Sequence, residues 1–229
     1  MKILNYILTI ILIGHSIVFA LPTVSGPTGL VTMPTAEILN YKEHNSAIDY
    51  QLNTDDSGSS KSFYKVNVGA LENTEIGFVG GSEPDEGVFL NFKWSLTSTA
   101  ERFPLRMAVG FENITSQTQS NFYLVTSKRL TADIGVHGGF KALFSDNIDV
   151  AFMAGANYAY NEKLAFIGDL NSFSESIYYV NLGSFYKLYD SSINGDFYIK
   201  SSIENIFNNG GGNANPRYIN IGLCYSKIL

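Results

Sequence analysis

From about residue 45 to the end, the chain alternates apolar and polar side chains with a period of two. Tyr64, Val66, Val68 and Ala70 fall on one face, opposed by Lys65, Asn67 and Gly69. Val88, Leu90, Phe92, Trp94 and Leu96 oppose Asn91, Lys93 and Ser95. The same beat recurs in Leu105–Phe111, in Ile134–Phe140, in Ile148–Tyr158, in Phe197–Ile203 and in Ile219–Tyr225. Successive side chains of a strand point to opposite faces, so each run predicts a strand with one apolar and one polar side. Twelve strands are predicted, near 46–52, 62–70, 74–80, 87–96, 103–112, 120–128, 131–141, 148–158, 163–170, 176–188, 193–204 and 217–227. The segments 120–128 and 163–170 alternate poorly, and without them the count is ten.

A soluble sandwich would show the same alternation. Three features favour an antiparallel up-and-down barrel that crosses a membrane. The strands run to about ten residues, the length of a tilted strand through the hydrocarbon layer. Aromatics are abundant, with 16 Phe and 14 Tyr, and Tyr64, Trp94, Tyr158, Tyr178, Tyr186 and Tyr225 stand near strand ends, as in the girdles of such barrels. The connections also alternate. Segments 53–61, 81–87, 113–120, 171–176 and 205–216 are long and polar, whereas 71–74, 129–131, 159–163 and 189–192 are short. Long loops on one rim and tight turns on the other are the outer-membrane pattern, and an even count puts both termini on the short-turn side.

The first forty-odd residues do not share this pattern. Residues 1–20 carry Lys2, an apolar run from Tyr6 to Phe19 and a Val18-Phe19-Ala20 ending, which predicts a secretory signal peptide cleaved after Ala20. Residues 21–44 form a separate Gly/Pro-containing segment ahead of a barrel predicted over 45–229. Within it, Gly26, Pro27, Gly29 and Pro34 exclude both a helix and an inner sheet strand. Leu30, Val31, Met33, Ile38 and Leu39 are nevertheless too apolar to lie in water. The segment is therefore expected to pack on or in the barrel, as a plug or as an extra edge strand over Leu30–Met33.

Gly26, Thr28, Gly29, Leu30, Met33, Pro34, Thr35 and Ala36 resemble the N-terminal signature of the YjbH family. Gly69–Gly77 and Asn91–Leu96 are similar to further stretches of that family. The resemblance implies a bacterial outer-membrane β-barrel linked to exopolysaccharide production, here a small or single-barrel relative. It implies no catalytic residue. The last strand also resembles the terminal insertion signal of outer-membrane barrels through Asn220, Gly222 and Tyr225, with Lys227 where an apolar residue is usual.

The polar faces carry both signs. Lys65, Lys93, Arg106, Asp133, His137, Asp149, Asp196, Lys200 and Glu204 are predicted to face the lumen, because a charge facing lipid at mid-depth costs a few kcal/mol. Mixed signs argue against strong ion selectivity, and the lumen is either a channel or a salt-bridged filling. The net charge of −6 makes a nucleic-acid partner a poor expectation. The lone Cys224 excludes an internal disulfide.

Candidate chemistry is thin. His137 and Asp133 fall in one segment but without a catalytic motif, and no metal-ligand spacing occurs, so neither an enzyme nor a cofactor is expected. Gly210-Gly211-Gly212 lacks the Lys-Ser/Thr of a phosphate loop. The sequence thus predicts a channel or envelope scaffold of the bacterial outer membrane. Its expected partners are outer-membrane lipid, the barrel assembly machinery and, by the resemblance, polysaccharide. The rival expectation is a periplasmic or secreted β-sandwich or lipocalin-like carrier.

Overall fold

The computed structural model describes residues 20–54, 59–82, 87–97, 105–116, 119–144, 148–172, 178–191, 194–207 and 217–228. The expected signal peptide, apart from Ala20, lies outside these, as does Gly210-Gly211-Gly212. Twelve strands form one closed sheet: β1 (Glu43–Asn53), β2 (Lys61–Leu71), β3 (Thr74–Gly81), β4 (Val88–Ser95), β5 (Arg106–Glu112), β6 (Ser120–Arg129), β7 (Ile134–Phe144), β8 (Ile148–Ala159), β9 (Leu164–Ser172), β10 (Tyr178–Tyr189), β11 (Asp196–Glu204) and β12 (Tyr218–Ile228). Each strand pairs antiparallel with its sequence neighbours. Pairing of Glu43–Asn53 with Tyr218–Ile228 closes the ring, so no sheet edge is left open.

The alternation read from the sequence is the alternation of faces. Ile48, Val66, Phe78, Phe152, Leu182 and Leu223 point outward and are exposed, while Asp49, Lys65, Lys93, Asn181 and Lys200 point inward and are buried. A sandwich or carrier turns its apolar face inward; here most of the apolar face is turned out.

β1 opens at Glu43, ahead of the boundary expected from the sequence. The length rule for connections is imperfect. On the rim that also bears both ends of the barrel, β4 ends at Ser95 and β5 starts only at Arg106, whereas on the opposite rim β7 ends at Phe144 and β8 starts at Ile148. Below, the rim at the start of β1 and the end of β12 is the terminal rim, and the other the distal rim.

Residues 20–39 do not join the wall, and the exposed Asn40, Tyr41 and Lys42 lead from them into β1. Residues 20–39 run up and down twice inside the wall, with isolated bridges between Pro22 and Thr28 and between Gly29 and Pro34. Six backbone bonds hold this segment to itself: Thr23 N–H to Pro27 O, Val24 to Val31, Gly26 to Thr23, Gly29 to Leu21, Leu30 to Met33 and Thr35 to Thr28. Prolines suit such a path because they carry no N–H that would need a partner in the confined lumen. Gly26 turns at φ +116, a conformation glycine adopts readily, with its backbone against the side chain of Asn91. Leu21, Leu30, Val31 and Met33 join Val125, Met153, Ile167 and Phe185 of the wall in one apolar core. Full burial of each such side chain stabilises the filled barrel by roughly 1.5–3 kcal/mol.

Candidate functional site

The lumen and the segment filling it are the candidate site. Their contact is divided by chemistry. On the side of β1–β4 and β11, buried ions hold the segment through its backbone. Asp49 accepts from both Lys65 and Lys200, the latter at 2.7 Å. Lys65 also donates to Thr23 O at 2.8 Å and Lys200 to Pro22 O at 3.1 Å. Two lysines on one carboxylate leave an excess positive charge, and these carbonyls supply the remaining acceptors. Lys93 donates to Thr28 Oγ1 and to the carbonyls of Thr28 at 2.8 Å, Thr35 at 3.3 Å and Glu37 at 2.7 Å. Glu75 accepts from Thr28 N–H at 3.0 Å, from its hydroxyl at 2.7 Å and from Leu39 N–H at 3.3 Å. The amides of Asn45 and Asn67 donate to Ala20 O and Gly26 O, each at 2.7 Å. These are charge-assisted or buried bonds, the kind whose loss costs most.

On the opposite side, the wall of β6 and β8–β10 is largely apolar, and one carboxylate interrupts it. Asp169 Oδ2 accepts from three consecutive N–H groups, those of Val31 at 2.8 Å, Thr32 at 2.9 Å and Met33 at 3.3 Å. Asp169 Oδ1 accepts from the Thr32 hydroxyl at 2.8 Å and from Asn181 Nδ2 at 2.7 Å. Asn171 and Asn181 donate in turn to Thr32 Oγ1 at 2.8 and 2.9 Å. This latch was missed in the sequence because Asp169 sits in a segment whose alternation is blurred.

Nearer the terminal rim, the Ser127 hydroxyl accepts from Ala36 N–H at 2.9 Å and lies 2.8 Å from His137 Nδ1. His137 Nε2 lies 2.8 Å from Asn157 Oδ1, and Glu37 Oε2 is 3.8 Å from His137 Nδ1. Burial pushes the Glu37 carboxyl upward, but the facing His137, the Thr35 hydroxyl and Lys93 outweigh it and hold the pKa below the usual glutamate value.

All eight motif residues, Gly26, Thr28, Gly29, Leu30, Met33, Pro34, Thr35 and Ala36, are buried within this filling. Of the residues predicted to face the lumen, Lys65, Lys93, His137 and Lys200 stand on its wall, buried. Glu204 faces inward and accepts from Gln51 at 2.8 Å and from Asn220. Asp196 ends the inner row of β11 and pairs with Lys187 at 3.1 Å. Arg106 and Asp149 begin the inner rows of β5 and β8 and are exposed at opposite rims. Asp133 lies in the exposed turn between β6 and β7, just ahead of the start of β7 at Ile134, and borders the lumen only at its terminal end. No group of three or more His, Cys, Asp or Glu that could hold a metal occurs among the described residues.

Space remains at both ends of the filling. A cavity of about 370 Å³ on the distal side is floored by Ser25 and Thr32 and walled by Lys61, Asn171, Asn181 and Tyr218. A smaller one of about 40 Å³, toward the terminal rim, is lined by Gly29, Leu30, Glu37, His137 and Ile167 and reaches Ala132 and Asp133.

Neither a family model nor a curated protein matches this chain. Solved structures do. A KdgM porin superposes with a TM-score of 0.54 at 11% identity, covering 79% of this chain and 98% of the porin. The NanC porin gives 0.53 at 12% identity, covering 80% and 98%. An outer membrane channel from Pseudomonas putida F1 gives 0.52 at 12% identity, covering 87% and 100%. At these identities the likeness is one of fold: the chain is built like these outer-membrane barrels.

Proposed function

We propose that this protein is a bacterial outer-membrane channel, closed in the present state by its own N-terminal segment. The observation that carries the proposal is the pairing of a closed barrel, apolar outside and polar within, with a lumen filled by a segment that contributes no strand to the wall. A filling needed only for stability would serve as well as part of the sheet. This one bonds to itself and, up to its exit at Lys42, meets the wall through the wall's side chains, so removing Thr23–Ala36 takes away no strand pairing. The likeness in fold to porins supports the same reading. The signal peptide ending at Ala20 would deliver the chain to the assembly machinery, and the Asn220, Gly222 and Tyr225 pattern would mark its last strand for insertion. The eight-residue signature supports placing the chain near the YjbH family, and with it a role in surface polysaccharide traffic.

Deletion of Thr23–Ala36 tests the channel. The variant is expected to fractionate with outer membranes, to run at a heat-dependent position on a gel and to conduct more than the intact protein in planar bilayers. Normal assembly with unchanged conductance would overturn the proposal, and so would release of the intact protein into the soluble periplasmic fraction.

A further inference from the structure

The cavities of about 370 and 40 Å³ lie one above the other along β9, and a single turn of the filling separates them; a further one of about 170 Å³ opens beside the upper, between Val24, Phe63 and Val79. The inward residues of β9 are, from the terminal rim, Ala165, Ile167, Asp169 and Asn171. Ala165 and Ile167 line the lower cavity, and Asn171 lines the upper. Asp169 stands between them, at the level where the turn Leu30–Met33 crosses to the wall. The turn itself shows the same division, with Leu30 lining the lower cavity and Thr32 the upper.

We propose that the conducting route runs along β8–β10, that Leu30–Met33 is its gate and that Asp169 is both the latch and the residue that selects the permeating ion. This rests on the channel reading above and narrows it: the filling does not leave the barrel but retracts one turn. The asymmetry of its anchors favours this motion. The first turn, through Pro22–Thr28, is held by Lys65, Asn67, Lys93 and Lys200 on the strands next to the chain's own exit into β1. The second turn reaches the far wall, where its polar anchors are Asp169 and the two asparagines that bond Thr32. The rest of that contact is apolar: Leu30 sits over Gly155, where its Cδ1 would be 2.3 Å from a Cβ. A side chain in that niche can slide without leaving a polar group unpaired.

When the turn retracts, the Asp169 carboxylate loses three N–H donors and the Thr32 hydroxyl and keeps the amides of Asn181 and Asn171. It then faces the route between the two cavities held by neutral amides alone, with its negative charge unpaired by a cation. Lys141, at the upper cavity, is already paired with Glu112 at 2.7 Å. Lys61, also at the upper cavity, lies over the Tyr218 ring at 4.9 Å, and Glu204 adds a carboxylate there. At the lower one, His137 and Arg129 face Glu37, and Asp133 lines the same space. The permeant class is therefore small hydrated cations in preference to anions of similar size.

A cysteine pair tests the gate. In a Cys224→Ser background, Thr32→Cys and Asn181→Cys replace side chains whose polar atoms are 2.9 Å apart. With the crosslink verified by gel mobility, the oxidised protein is expected to lose most of its bilayer conductance and to regain it on reduction. Separately, Asp169→Asn is expected to lengthen openings and to abolish cation preference in a salt-gradient reversal measurement. Full conductance in the crosslinked state would overturn the route. Unchanged openings and selectivity in Asp169→Asn would overturn the latch, also where the intact protein is silent. If those results came with raised conductance on deletion of Thr23–Ala36, the channel would stand and this route through it would fall. A silent deletion variant would remove the channel itself.

Discussion

Gly69 shows how closely single residues of the wall are shaped to the filling. It faces inward on β2, and its carbonyl accepts from Lys42 N–H at 2.9 Å where the filling turns into β1. A Cβ at this position would stand 1.9 Å from Asn40 O and 2.9 Å from Leu39 O. Both are backbone atoms, which cannot swing aside as a flexible side chain does. Gly69→Ala is thus expected to push the exit of the filling off the wall while the twelve strands stay paired. Leu39 is fully buried there, so a Leu39→Cys reporter in the Cys224→Ser background should react slowly with a water-soluble thiol reagent. The reaction should speed up markedly once Gly69→Ala is added. An unchanged rate would show that the exit has slack that the packing does not reveal.

At the scale of elements, what could be read from the sequence depended on what each strand faces. Strands whose inner side meets ions or water kept a clean alternation, as β2, with Lys65 and Asn67 inward, and β11, with Lys200 and Ser202 inward, both show. β6 and β9 read poorly because their inner sides meet the apolar filling. Tyr123 and Val125 face inward on β6, and Ala165 and Ile167 on β9, opposite outward Phe122, Leu124, Phe166 and Leu170. Both faces are then apolar and the period vanishes, although the strands are sound. The filling was legible as rigid, apolar and non-repetitive, yet its depth in the lumen was not, since that depends on partners more than a hundred residues away, such as Asp169. The outward faces allow a direct check. Val109→Arg and Val136→Arg place a charge toward lipid and are each expected to cost roughly 2–4 kcal/mol at mid-depth. Arg106→Ala, at an exposed inner end, should leave folding free energy nearly unchanged. Urea titration of the purified protein refolded into lipid vesicles measures all three, and equal effects would mean that the faces are assigned wrongly.

The whole molecule is a strongly charged vessel around an almost uncharged stopper. Between Leu21 and Asn40 the only charged side chain is Glu37, and it lies near the terminal rim, facing His137. The charges that grip the stopper, on Asp49, Lys65, Glu75, Lys93, Asp169 and Lys200, belong to the wall and do not travel with it. One elementary charge crossing the entire membrane field gains about 2.3 kcal/mol per 100 mV. A retracting turn would carry at most a small fraction of that, because Glu37 is outside the turn and Leu30–Met33 bear no charge. Set against several charge-assisted bonds, each worth about 1.5–3 kcal/mol, such a contribution decides little. Opening is therefore expected to be nearly independent of voltage between about −100 and +100 mV, with an apparent gating charge well below one. Glu37→Gln should leave that slope flat while Asp169→Asn raises the open fraction at every voltage. A steep voltage dependence, with a gating charge of several units, would require a charged element to move and would exclude the N-terminal segment as the gate.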